Sequence, residues 1–216
     1  ESLTTVGLLS PSPLPFPVLV FSLWSPEYFV HSLEPSEIKN MFRDNATDLV
    51  GMIVGTVEKK KMITGDMIRE GDVVFGIPSS GFHTNGYTLV NKYANKDNID
   101  YLLEPHRCYL DELGDRLDKV SGLVHITGGG WFDNPKRIVP KGLSLEIDVE
   151  KWKIPKVFRW IKQKAKMSDN EMFRTFNMGI GMLVVVPGDN KKYFKDMVEI
   201  GTIKKRRDCM VRLVNV

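Results

Sequence analysis

The chain has 216 residues, 42% hydrophobic and 26% charged, with 30 basic and 27 acidic side chains giving a net charge of +3, the balance of a water-soluble globular protein with sequence enough for one large domain or one and a half. So small an excess gives no argument for nucleic acid, and the two dense basic runs, Lys59–Lys61 and Lys204–Arg207, read as solvated turns. Cys108 and Cys209 lie far apart without CxxC spacing, which argues against a disulfide framework or a cysteine zinc site and for a reducing, cytoplasmic setting.

Residues 1 to 40 hold half of the prolines, among them Pro11, Pro13, Pro15 and Pro17, yet Val18–Phe21 and Tyr28–Val30 read as strands. The apolar stretch Leu14–Trp24 is short and broken by proline, and no basic residue precedes it, so neither a membrane span nor a signal peptide is expected. Asp48–Val57 is nearly continuous apolar sequence, as suits a strand covered on both faces. After a turn at Thr64-Gly65-Asp66 comes GDVVFGIPSSGFHTNGYTLV, residues 71 to 90. Val73–Ile77 reads as a buried strand, followed by small, permissive residues around His83 and a helix from Tyr87. A strand entering a loop of that kind before a helix offers backbone amides to an anion; an ordinary strand-turn-helix connection is the alternative.

Leu110–Val120 carries Leu113, Leu117 and Val120 at helical spacing. Strand Leu123–Ile126, with His125, then delivers Thr127 into Gly128, Gly129 and Gly130. Three glycines cost backbone entropy, so they mark close approach, either of a phosphate or of a neighbouring element. No Gly-Lys-Ser/Thr follows, which excludes a Walker A loop. Val139–Ile147 reads as a strand, Val157–Lys164 and Asp169–Thr175 as helices, Leu183–Val186 as a buried strand after FNMGIGM, Lys191–Val198 as a helix, and Ile200–Ile203 and Met210–Val214 as closing strands. Strands alternating with helices predict an α/β fold with a mixed sheet packed with helices.

PSSGFHTNGYTLV, HITGGGWFDNPKRIVPKGL and RTFNMGIGM, in that order, resemble the motifs of the aminoimidazole ribonucleotide synthetase family, the phosphoribosylformylglycinamidine cyclo-ligases of purine biosynthesis. The likeness covers about residues 46 to 216. It implies a two-domain α/β synthetase that forms a homodimer through its first domains, uses ATP and Mg2+ with K+ as a further candidate, and acts on a small ribonucleotide rather than on nucleic acid or membrane. In such a reaction ATP phosphorylates the formyl amide oxygen, the amidine-side nitrogen attacks that carbon, and phosphate leaves as the imidazole ring closes.

By the same resemblance, residues 59–216 are the second domain and 1–58 an incomplete first domain. That first part is expected to consist of discontiguous pieces, joined near residues 22–26 and 39–42, because the family's nucleotide loops are missing, with further candidate joints near residues 94–100, 114 and 205–207; the metal ligands stay unassigned. Ser79, Ser80, Gly81, Asn85 and Gly86 on one bend, Thr127, Gly128, Gly129 and Gly130 on the other, and Asn177 are the candidate binders of substrate and phosphate. His83 and His125 are the candidate proton carriers, since imidazole titrates near neutral pH. Rival readings are a selenophosphate synthetase, a thiamine monophosphate kinase or the preceding amidotransferring synthetase, and, from another class, a catalytically silent dimerising fragment.

Overall fold

The computed structural model describes residues 57–83, 85–95, 102 and 104–216, so the strands and joints expected in residues 1–56 lie outside the described residues. The chain divides into two units, 1–62 and 63–216. In the first, the described part includes a 3-10 turn at Lys59–Lys61. The second carries β1 (Val73–Pro78), β2 (Gly122–His125), β3 (Leu143–Asp148), β4 (Ile180–Val186), β5 (Val198–Lys205) and β6 (Val211–Val214), with α1 (Tyr87–Val90), α2 (Leu110–Leu113), α3 (Gly130–Asp133), α4 (Lys156–Ala165) and α5 (Asp169–Thr175) between them.

The six strands form one mixed sheet in the order β2-β4-β1-β5-β3-β6. Every pairing is antiparallel except β3 with β6, which run parallel from Leu145↔Val211. β1 and β4 sit inside the sheet and are covered on both faces. On one face Val74, Leu183 and Val185 join the large core with Phe82, Ile126, Phe158 and Phe176. On the other, Phe75, Ile77, Val184 and Val186 meet Leu113, Tyr109 and Phe194. This two-sided cover is why both strands read as unbroken apolar runs instead of alternating ones. Each fully buried valine or phenylalanine here contributes about 1.5–3 kcal/mol through its transfer from water.

Three expected elements differ most in extent or type. The helix expected at Leu110–Val120 stops at Leu113 and continues as a 3-10 stretch, Gly114–Lys119, because glycine is a poor helix former and Leu117 stays 38% exposed, leaving no buried stripe to hold a longer helix. The strand expected from Val139 begins only at Leu143, after a turn through Pro140 and Gly142 (φ +88°) closed by Leu143 N–H to Pro140 O at 3.1 Å. The helix expected at Lys191–Val198 is a 3-10 stretch, Gly188–Phe194, and Val198 opens β5. Phe194 is the sole buried side chain of that stretch, too little to support an amphipathic helix. Helix α5 matches its expected bounds, fixed by a capping box in which Ser168 N–H donates to Glu171 Oε2 at 2.8 Å and Glu171 N–H to Ser168 Oγ at 3.4 Å. Among the described residues no helix is long and apolar enough to cross a membrane.

Candidate active site

Strand direction brings the three unusual turns to one edge. β1 and β2 flank β4 and both run against it, pairing Pro78 with Ile180 and His125 with Met182. The C-terminal ends of β1 and β2 therefore emerge where β4 begins, and the bends 79–86 and 126–130 lie beside the turn 177–179.

Asn177, fully buried, ties them together. Its Oδ1 accepts from Ser79 Oγ and from Gly179 N–H, both at 2.9 Å, and its Nδ2 donates to Gly81 O at 2.8 Å. Its backbone oxygen accepts from Trp131 Nε1 at 3.1 Å, while Trp152 Nε1 donates to Met178 O at 3.0 Å. The two indoles stack at 5.3 Å, so the turn through Met178 (φ +54°) and Gly179 (φ +97°) is gripped from the side. Asn85 Nδ2 donates to Ile126 O at 3.2 Å, joining the first bend to the second. Asn134 holds the second bend, accepting from Thr127 N–H at 2.8 Å.

The predicted binding residues accordingly fall into two groups. The side chains of Ser79, Asn85 and Asn177 are engaged inside the protein. A Cβ on Gly86 would lie 2.2 Å from the Phe176 ring, on Gly129 2.9 Å from Asn134 Nδ2, and on Gly130 2.3 Å from Arg174 O, so these glycines make room for the protein's own atoms. Gly128 differs: it is exposed and a Cβ there would meet nothing within 4 Å. Ser80 and Thr127 are half-buried at the same rim, and a Cβ on Gly81 would meet only Glu104 Cβ at 3.9 Å.

The two predicted histidines meet, through a third that sequence reasoning missed. His106 Nε2 lies 3.1 Å from His125 Nε2, and the rings of His106 and His83 are 3.8 Å apart. Hydrogen bonding fixes the tautomers. Arg107 O can only accept, so His106 Nδ1 donates to it at 2.8 Å, and His106 Nε2 accepts a hydrogen bond from His125 Nε2–H. Ser80 N–H donates to His83 Nε2 at 3.0 Å, which leaves the proton of His83 on Nδ1. That Nδ1 is buried without a partner, as is the hydroxyl of Tyr109, and His83 occupies the left-handed region at φ +56°. Orphaned polar atoms and positive φ at a bulky residue both cost stability, of order 1–3 kcal/mol each, and cluster at functional sites.

Burial, reinforced by His106, His125 and Arg107, pulls the His83 imidazole down to about 4. Burial and then His106 lower His125 as well, while burial pushes the Tyr109 phenol upward. All three groups are neutral at pH 7. Against its ordinary value of 6.5, His83 protonates more readily in the unfolded chain than in the folded one. Its contribution to stability is therefore complete above about pH 6.5 and is lost as pH falls towards 4, with a ceiling of about 3 kcal/mol. Urea unfolding followed down to about pH 4.5 should show a steeper loss in the wild type than in His83→Asn, since asparagine tolerates the same backbone conformation. Parallel declines would contradict the assignment.

Residues 69–213 match the family described as AIR synthase related protein, C-terminal domain. Curated relatives named phosphoribosylformylglycinamidine cyclo-ligase are 37% identical over 196 residues in Nitrosospira multiformis, covering 81% of this chain and 56% of the relative. The relative in Burkholderia pseudomallei is 39% identical over 205 residues (85% and 58%), and that in Shouchella clausii 40% identical over 173 (72% and 50%). The chain thus spans little more than half the length of the curated relatives it matches. Among solved structures, AaThiL complexed with AMPPCP and TMP aligns with a TM-score of 0.52 at 20% identity, covering 74% of this chain and 52% of that one. E. coli HypE, a hydrogenase maturation protein, aligns with a TM-score of 0.50 at 16% identity, covering 76% and 52%. These likenesses establish the fold alone.

Proposed function

The chain belongs to the AIR synthase related C-terminal domain family, and from that membership we propose that it forms the ribonucleotide-binding half of an ATP-dependent cyclo-ligase that closes formylglycinamidine ribonucleotide to 5-aminoimidazole ribonucleotide. The observation that carries the reading is the meeting of the two bends at one sheet edge, with Gly128 left open at the rim. The name shared by relatives 37–40% identical supports the choice of substrate.

In this reading the ribotide phosphate lies against the exposed backbone at Gly128, beside Thr127, where no side chain obstructs it. Phosphoryl transfer from ATP to the formyl oxygen makes a phosphate leaving group, the amidine-side nitrogen attacks the same carbon, and the ring closes as phosphate departs. The attacking nitrogen must shed a proton. His125 is the better placed of the two predicted histidines to take it, being exposed, neutral and hydrogen-bonded to His106. His83 is buried, with Nε2 already accepting from Ser80 N–H, and serves instead to position the bend.

Mg2+ requires oxygen ligands. Among the described residues the grouped candidate ligands at this site are three imidazoles, which do not fit it. In this reading ATP, Mg2+ and any K+ belong to a complete first domain, as does the homodimer contact, and the protein works in the cytoplasm. Supplied with a complete first domain, the chain incubated with formylglycinamidine ribonucleotide, ATP, Mg2+ and K+ should yield aminoimidazole ribonucleotide and ADP in equal amounts. ADP formed only with thiamine monophosphate or selenide would overturn the reading, and ribonucleotide binding without turnover would favour the silent module.

A further inference from the structure

We propose that His83, His106 and His125 form a binding site for one transition-metal dication of the zinc class, with a fourth coordination position open to solvent. One ring nitrogen from each of the three lies within 4.8 Å of the other two. Zinc–imidazole bonds of about 2.0–2.1 Å place tetrahedral ligand nitrogens about 3.4 Å apart. The Nε2 atoms of His106 and His125 already stand at 3.1 Å, so small side-chain rotations close the set.

A second observation points to a ligand independently of this spacing. His83 is 5% exposed and its Nδ1 has no hydrogen-bond partner. Buried polar atoms are ordinarily satisfied, and a missing ion is one of the standard reasons for an exception. If that nitrogen takes the metal, the His83 proton moves to Nε2, where Ser80 Oγ at 3.1 Å accepts it while donating its own proton to Pro105 O at 2.6 Å. The Ser80 amide then gives up its bond to that nitrogen. His125 likewise carries its proton on Nδ1 when Nε2 binds, so three neutral lone-pair donors face the ion and no net proton is released. A ligating imidazole held through its other nitrogen is the usual arrangement at such centres. His106 has it already, with Nδ1 donating to Arg107 O at 2.8 Å.

Three imidazoles without a carboxylate suit zinc, copper or nickel and not Mg2+ or Ca2+. The nearby Arg107 cation is offset by Glu112, whose Oε1 accepts from Arg107 Nε at 2.8 Å. His106 and His125 are exposed, which leaves the outer face of the ion to water, as in sites with three protein ligands. Occupancy would also tie up His125 and stop it from accepting a proton.

The test uses the metal alone and so stands apart from the cyclo-ligase reading. The 216-residue chain is titrated with Co2+, followed by its visible d–d absorption, and then with Zn2+. One Co2+ per chain with tetrahedral intensity, displaced by Zn2+, is expected. His106→Gln and His125→Gln, both exposed and expected to melt as the wild type does, should each weaken binding by about 100-fold or more. Cys108→Ser should leave it unchanged. No saturable binding, binding insensitive to His106→Gln, or a thiolate charge-transfer band assigning the ion to Cys108 would each overturn the proposal.

Discussion

Asn177→Ala is expected to lower unfolding stability by about 3–5 kcal/mol, because it strands several buried groups at once. The amide holds Ser79 Oγ, Gly179 N–H and Gly81 O, and alanine leaves all three without that partner, the two backbone groups buried and the serine half-buried. An orphaned donor or acceptor of this kind costs about 1–3 kcal/mol, and relaxation of the bend recovers part of the sum. Asn177→Asp should not rescue the loss. It keeps one acceptor oxygen but sets another against Gly81 O. Urea denaturation of the three proteins measures this directly. A change below about 1 kcal/mol for Asn177→Ala would mean that the bends are held by the stacked tryptophans rather than by this amide.

His125→Gln is expected to reduce turnover by about 10²–10⁴-fold with little change in KM, the loss that follows removal of a proton acceptor at the reacting centre. The side chain is exposed at the end of β2, so the fold should survive. His83→Asn should cost less in turnover and more in stability, because His83 is buried and bonded to Ser80. Ring-closing kinetics on both variants separate the roles. Equal turnover in His125→Gln and wild type removes His125 from the mechanism, and a larger turnover loss in His83→Asn reverses the ranking.

What could be read from the residues alone was decided by local signals. β1 and β4 were legible because two-sided burial leaves runs such as Leu183–Val186 with no polar interruption, and the capping box between Ser168 and Glu171 accounts for the start of α5. The 188–194 stretch was not, since lysines and a tyrosine can decorate either helix type. Both bends could be found from glycine, serine and asparagine following apolar runs. Their division of labour could not. Gly128 and Gly130 look alike in sequence, yet one faces open space and the other carbonyl oxygens of residues 173 and 174. Asn85 and Asn177 looked equally able to meet a ligand, and the chain's own carbonyls and hydroxyl occupy them instead. His106 sits in EPHRCY, which has neither periodicity nor glycine to mark it, and its partner His125 is 19 residues away. The exit of β1 and β2 at one end of the sheet brings His83 and His125 close, and the segment before α2 lays His106 against both.

The proposed ribotide site requires Gly128 to be bare for the sake of a ligand. Its Cβ would meet nothing within 4 Å, so Gly128→Val should melt as the wild type does while filling the space assigned to the ribotide phosphate. Calorimetric titration of both proteins with formylglycinamidine ribonucleotide decides the matter. Affinity at least about tenfold weaker in the variant, or about 1.4 kcal/mol, is expected at unchanged melting temperature. Equal affinity in the two proteins would contradict it.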